Sequence, residues 1–278
     1  MKLMDTLVKL ALLALCGYIT ITLAAWHFHE KLIFFPSAAL SANPKALHLP
    51  YEDVRITTAD GTVMHGWHVP ASEGPLFYKH FTVLLFHGNA GNISHRLGYI
   101  KIFNELGCSS LIIDYRGYGL SVGKPSVKGT EEDALAAWNW LIAKKGVSPE
   151  RIVLHGHSLG GGVAGWLAGQ ARPAGLIFEG AFPSLADAGK ALYPFLPVKM
   201  LIKDIYNTRE TLRGKDIPAL FAHSPEDQII PYSLGRELYE SYAGPKTFMQ
   251  LTGNHSEAFL LSGANYIQGV KKFLMDLQ

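Results

Sequence analysis

The pattern of hydrophobic and polar positions divides the chain into three stretches. The first, Leu10 to Trp26, holds 17 consecutive residues without a charge. Extended through Leu7, Val8 and Lys9, whose ammonium can snorkel, it makes about 30 Å of helix, the thickness of a bilayer's hydrocarbon core. Trp26 stands at its far end, where interfacial aromatics collect. Residues 1–28 are therefore expected to form an N-terminal transmembrane anchor, with residues 29–47 as a connector. A cleaved signal peptide is the rival reading and a buried core helix the third. A signal's apolar region is shorter, and Leu23-Ala24-Ala25-Trp26 makes a poor cleavage site. Lipidation at Cys16 is disfavoured by Leu15 before it. Lys2 and Lys9 upstream, against Lys31 and Lys45 downstream, barely orient the helix. The expectation is a catalytic domain outside the cytoplasm, secreted if the N-terminus is cleaved.

The second stretch is a hairpin. Tyr51 to Thr58 and Thr62 to Val69 are β-rich and join through Asp60-Gly61, a pair that accepts positive φ. In the third, short apolar runs alternate with helix-length segments. The runs are Phe81 to Phe86, Ser110 to Ile113, Arg151 to Leu154, Leu176 to Phe178, Ala219 to Phe221 and Thr247 to Leu251. Thr130 to Lys144 is a predicted helix, with Thr130 as its cap and Asp133 in its first turn. Continuous apolar strands alternating with helices imply a mostly parallel sheet covered on both faces. One α/β domain over residues 48–278 is the economical reading.

Composition narrows the function classes. Apolar residues make up 48% and charged ones 17%, which excludes disorder. Lys plus Arg number 25 against 23 Asp plus Glu, with no basic block, so nucleic acid is not an expected partner. Two cysteines build no disulfide framework. Twelve histidines are present, but no H-E-x-x-H and no carboxylate cluster, so a metal site is not expected.

The chemistry is carried by four places. Arg151-Ile152-Val153-Leu154-His155 runs into Gly156-His157-Ser158-Leu159-Gly160, a G-x-S-x-G between a strand and a helix. A serine on so tight a turn lifts its hydroxyl clear of the backbone, and side chains two residues either side would collide. Gly161, Gly162, Gly165 and Gly169 then lower helix propensity by about 1 kcal/mol each, which implies close packing on the sheet. His87-Gly88-Asn89-Ala90-Gly91-Asn92 is small enough for amides to approach a carbonyl oxygen. Asn89 and Leu159 are the expected donor pair of an oxyanion hole. A serine needs a histidine to take its proton and an acid to hold that histidine's tautomer. The loop Ser224-Pro225-Glu226-Asp227 after a strand offers Glu226 and Asp227, of which Asp227 is the better candidate. His255, in Gly253-Asn254-His255-Ser256 after the last strand, is the candidate base, and Glu179 is a reserve acid.

These residues resemble the α/β-hydrolase superfamily, and more narrowly its membrane-anchored "alpha/beta hydrolase domain-containing" branch of serine hydrolases. The narrower resemblance rests on Glu30-Lys31-Leu32-Ile33-Phe34-Phe35-Pro36-Ser37, Tyr51-Glu52-Asp53-Val54, Asp60-Gly61 with Gly66-Trp67, and His87 to Asn92. It rests also on the run from Asp114 to Ser126, which begins Asp114-Tyr115-Arg116-Gly117-Tyr118-Gly119. The resemblance implies an α/β-hydrolase fold with an eight-stranded sheet and helices on both faces. It also implies a triad of Ser158, Asp227 and His255, with Asp227 at the family's acid position. The implied activity is cofactor-free hydrolysis of carboxylic esters, lipid or thioester acyl groups included. Relatives include lysophospholipases and protein depalmitoylases. Depalmitoylase members carry an N-terminal cysteine cluster and this chain has only Cys16 there, which weakens that substrate. The Asp114–Ser126 loop has no triad role, and Asp114 and Arg116 are expected to pair within it.

Residues 180–217, with Phe182, Tyr193, Phe195, Leu196, Met200, Leu201 and Ile202, are either a small apolar lid or a crossover helix. An acyltransferase using the same triad and a peptidase are alternatives to the esterase, and a non-enzymatic scaffold is disfavoured by the filled triad. The expected partners are a small-molecule or lipid ester and the membrane, with no obligate protein partner.

Overall fold

Gly61, at φ 84°, turns the chain between strands β1 (Glu52–Thr57) and β2 (Val63–Val69), which pair antiparallel as the Asp-Gly signal predicts. A computed structural model of the chain describes residues 2–72, 81–202 and 204–277. Beyond the hairpin come β3 (Thr82–Phe86), β4 (Ser109–Ile113), β5 (Ile152–His157), β6 (Gly175–Glu179), β7 (Ala219–His223) and β8 (Lys246–Gln250). Every predicted strand starts within one residue of its observed start. The eight form one sheet in the order β8-β7-β6-β5-β3-β4-β2-β1. Pairing is parallel from β8 through β4, and antiparallel where β2 meets β4 and β1. This is the α/β-hydrolase fold expected.

Period-two alternation in the strands feeds two cores. Leu84, Phe86, Ile152, Leu154, Leu176 and Phe178 pack on one face, with helices α4 (Val127–Lys145) and α5 (Leu159–Gln170). Val83, Leu85, Val153 and Ile177 pack on the other, with α3 (Leu97–Glu105) and α11 (Ala264–Asp276). The glycines of α5 admit that packing. A Cβ on Gly162 would lie 2.6 Å from Tyr206, and one on Gly165 2.6 Å from Thr208.

Helix α4 begins three residues earlier than its pattern suggested. Ser126, not Thr130, is the cap, and its Oγ accepts from the Gly129 amide at 3.0 Å. Thr130 lies one turn in, with its hydroxyl donating to the Val127 carbonyl. A cap depends on which side chain can fold back on the helix end, and both residues carry a suitable hydroxyl.

At the N-terminus, α1 (Lys2–His27) has no buried residue and is long and apolar enough to cross a membrane. A short α2 (His29–Ile33) follows and carries the chain to the sheet. Between β6 and β7 lie α6 (Leu185–Leu192), α7 (Val198–Leu201) and α8 (Thr208–Thr211). Leu185, Leu192, Tyr193, Leu196 and Leu201 line a cavity at Ser158, while α8 packs on α5. Helices α9 (Tyr232–Ser241) and α10 (Ala258–Leu261) precede α11.

Candidate active site

The site begins with backbone strain. Ser158, between β5 and α5, sits at φ 55° and ψ −120°, a conformation a non-glycine residue holds only when its surroundings enforce it. Its amide donates to the Glu179 carbonyl at 2.9 Å, and its own carbonyl accepts from Gly161 at 2.9 Å. A Cβ on Gly156 would fall on the Gly160 carbonyl, and one on Gly160 would fall on that of Phe86. Both flanking glycines are thus sterically required, as the motif predicts. The first turn of α5 aims unpaired N–H groups and the positive end of its dipole at this point.

Asp227 and His255 meet on the loops after β7 and β8. His255 Nδ1 donates to Asp227 Oδ2 at 2.6 Å. Asp227 Oδ1 accepts from the amides of Ile229 and Ile230 at 2.9 and 2.8 Å. Burial raises the carboxyl's pKa, but hydrogen bonds from His223 and His255 outweigh it and hold Asp227 well below the usual carboxylate range. Glu226 is exposed and makes no such pair, whereas Asp227 does. Glu179 points elsewhere, its Oε1 accepting from the Tyr99 hydroxyl at 2.8 Å and its Oε2 lying 3.6 Å from His155. Although fully buried, Glu179 is held below its ordinary pKa by His155, His157 and Tyr99.

Two histidines escaped the sequence reading. His223 Nε2 lies 3.1 Å from Asp227 Oδ2 and 3.0 Å from the Ile230 carbonyl, so the acid serves two imidazoles. Its position at a strand end, four residues before the acid, was the available signal. His157, the free position of the serine motif, donates from Nε2 to the His255 carbonyl at 3.0 Å, and the two rings lie 4.9 Å apart. Burial, with His255 adding to it, pushes the His157 pKa down to about 3.

The loop carrying Asn89 is braced by the connector and by the loop that had no triad role. Phe35-Pro36 pairs in parallel with Ala90-Gly91, and the Phe35 amide donates to the Asn89 carbonyl at 2.9 Å. From the other side, the Tyr118 hydroxyl donates to that same carbonyl at 2.6 Å and the Tyr115 hydroxyl to the His87 carbonyl at 3.0 Å. The expected pairing of Asp114 with Arg116 is not formed. Asp114 accepts from the Ile93 amide at 2.9 Å and faces His65 and His87. Arg116 instead reaches Asp133 on α4, Asp60 in the hairpin turn and Glu132. Adjacent side chains on an irregular loop point apart, so each finds a partner from another element.

Ser158, Leu159 and Asn89 open on one apolar cleft of about 140 Å³, walled by α6 and α7 and, across from them, by Ala25, His29 and Leu32. Among the described residues, no three His, Cys, Asp or Glu side chains converge to hold a metal ion.

A strained serine between strand and helix, on an eight-stranded sheet of this order, defines the class of α/β hydrolases. The alpha/beta hydrolase fold family matches residues 82–224, and the chain belongs to that family. It is 36% identical over 252 residues to an uncharacterised protein, Rv2307c, of Mycobacterium tuberculosis, covering 90% of this chain and 89% of that one. It is 31% identical over 282 residues to the uncharacterised membrane protein YNL320W of Saccharomyces cerevisiae, covering 96% of both. The esterase Pf2001 of Pyrococcus furiosus has a similar fold, with a TM-score of 0.71 at 20% identity over 87% of this chain and 98% of that one. Family and fold make the protein a hydrolase.

Proposed function

We propose that the protein is a membrane-anchored serine hydrolase that cleaves carboxylic esters through an acyl-enzyme on Ser158. Residues 1–28 are the anchor and residues 48–278 the catalytic domain. The observation that carries this reading is the Asp227–His255 pair, 2.6 Å apart, on loops that leave the C-terminal ends of strands parallel to the one that ends at the strained serine. Asp227 holds the proton on His255 Nδ1, which leaves Nε2 free to accept. As the Ser158 Oγ bonds to the ester carbonyl carbon, Nε2 takes the hydroxyl's proton. The amides of Asn89 and Leu159 stabilise the charge that develops on the carbonyl oxygen. His255 then gives its proton to the leaving alcohol as the C–O bond breaks. Water reverses the sequence, losing a proton to His255 and releasing the acid from Ser158. The apolar walls of the cleft favour substrates with an acyl chain.

A fluorophosphonate probe tests this directly. It is expected to label the parent protein and not Ser158→Ala, with loss of ester hydrolysis in the same variant. Labelling that survives the substitution refutes the assignment.

A further inference from the structure

The tip between α6 and α7 has features that the active site does not use. Phe195 and Met200 are 66% and 84% exposed, and neither lines the cleft. The Phe195 carbonyl accepts a hydrogen bond, at 3.1 Å, from the hydroxyl of Tyr18 on α1. From Tyr18 the helix runs on to His27, so this contact lies about 14 Å back from the domain end of α1. The helix able to cross a membrane and the tip over the cleft therefore lie side by side, well inside the span.

We propose that residues 192–200 insert into the bilayer leaflet through which α1 reaches the catalytic domain. The cleft then opens laterally onto that leaflet, and its substrate is a bilayer-resident acyl ester. This rests on the anchored-hydrolase reading above and adds the surface and the route.

Three further observations fit a lipid environment. The tip's backbone leaves few polar groups to satisfy. Pro194 and Pro197 have no N–H, and the amides of Tyr193 and Leu196 donate to the carbonyls of Gly189 and Tyr193. In hydrocarbon a lone hydroxyl or carbonyl is heavily penalised, and Tyr18 and Phe195 satisfy one another. The rim is apolar on every side, with Leu32, Leu192, Tyr193 and Ile229 both lining the cleft and exposed. Exposed lysines, Lys31 on α2 and Lys190 on α6, flank it with stems long enough to reach headgroups, while the Lys199 ammonium on α7 is paired with the Asp187 carboxylate at 2.6 Å. A dissolved substrate needs no such rim, whereas an acyl chain leaving a leaflet needs a continuous apolar path.

The test uses the full chain in phosphatidylcholine vesicles. Phe195→Cys, Met200→Cys and, as an aqueous control at the opposite end of the sheet, Glu150→Cys are made in a Cys16→Ser background. Each is labelled with an environment-sensitive fluorophore, the remaining Cys108 being buried. At 195 and 200, emission is expected to be blue-shifted and quenched at least threefold more by acyl-chain nitroxides than at 150. Aqueous emission with iodide quenching at both positions overturns the insertion. Protection from both quenchers that depends on protein concentration also overturns it, placing a second copy on the patch. In a second arm, Phe195→Ser with Met200→Ser is expected to lower kcat/KM about tenfold on a long-chain ester embedded in vesicles. On a dissolved short-chain ester the same variant stays within twofold, and equal retention on both substrates overturns lateral uptake. Fluorophosphonate labelling of the same samples separates the two ideas. Inserted probes without Ser158 labelling refute the hydrolase reading alone, and labelled Ser158 with aqueous probes refutes the insertion alone.

Discussion

Replacing Asp227 by asparagine changes one atom in the acid, and the structure dictates how the new amide must turn. Oδ1 accepts from the Ile229 and Ile230 amides at 2.9 and 2.8 Å, while Oδ2 faces His255 Nδ1 at 2.6 Å and His223 Nε2 at 3.1 Å. Asparagine has a single oxygen for these four donors. A backbone N–H cannot give up its proton, but an imidazole can move one between its nitrogens. The oxygen therefore stays with Ile229 and Ile230, and the NH2 group turns to the imidazoles. His255 responds by shifting its proton to Nε2, the nitrogen needed to accept from Ser158. His223 meets the same conflict and gives up its bond to the Ile230 carbonyl, a loss of about 1 kcal/mol in stability. A wrong tautomer of this kind lowers kcat by roughly 10⁴, about 5.4 kcal/mol at 1.36 kcal/mol per decade. The assay is steady-state hydrolysis of a soluble ester, with KM expected within about twofold because no substrate contact is removed. Nitrogen NMR of the imidazoles provides an independent readout of the tautomer. Glu226→Gln should stay within a few-fold of the parent. A fall in kcat of less than tenfold for Asp227→Asn, or an unchanged His255 tautomer, refutes the reasoning, and exchanged outcomes make Glu226 the acid.

Three further outcomes follow from the same contacts. Tyr118→Phe removes one of the two donors on the Asn89 carbonyl, so kcat should fall about tenfold with KM unchanged, about 1.4 kcal/mol and so less than the roughly 2.7–4 kcal/mol that loss of a whole oxyanion donor removes. Burial pushes the pKa of His87 down to about 4 and that of His157 down to about 3, so below pH 6.5 the unfolded chain binds protons that the folded one refuses. Their contribution is complete above pH 6.5 and declines as pH falls; at pH 5 the two together remove about 4 kcal/mol of stability, so in urea unfolding His157→Gln should reduce the loss between pH 7 and pH 5 by about 2 kcal/mol. Gly165→Ala gains about 1 kcal/mol of helix propensity but forces a Cβ to within 2.6 Å of the buried Thr208. Overpacking of about 1–3 kcal/mol outweighs that gain, so thermal unfolding should move down by several degrees, and a rise in Tm would contradict the packing argument.

The amino-acid sequence by itself determined the elements and the strained turn, because both follow from local rules. Alternation and apolar runs locate the strand starts within a residue, and the Asp60-Gly61 pair specifies its hairpin. The glycines two residues either side of Ser158 announce a turn that excludes side chains. What the sequence left open depends on distant residues converging, for which no periodicity exists. Between Glu226 and Asp227 the choice is made by the direction of one loop relative to another, 28 positions along the chain. The tie between Asp114 and Arg116 looked natural from their spacing, yet the fold supplies each with partners from other elements, Ile93 for one and Asp60 and Asp133 for the other. The cleft shows the same division most fully. Its apolar residues were visible in two separate stretches, but only the tertiary structure sets the end of α1 opposite α6 and α7, because a shared wall is a property of packing and not of either segment.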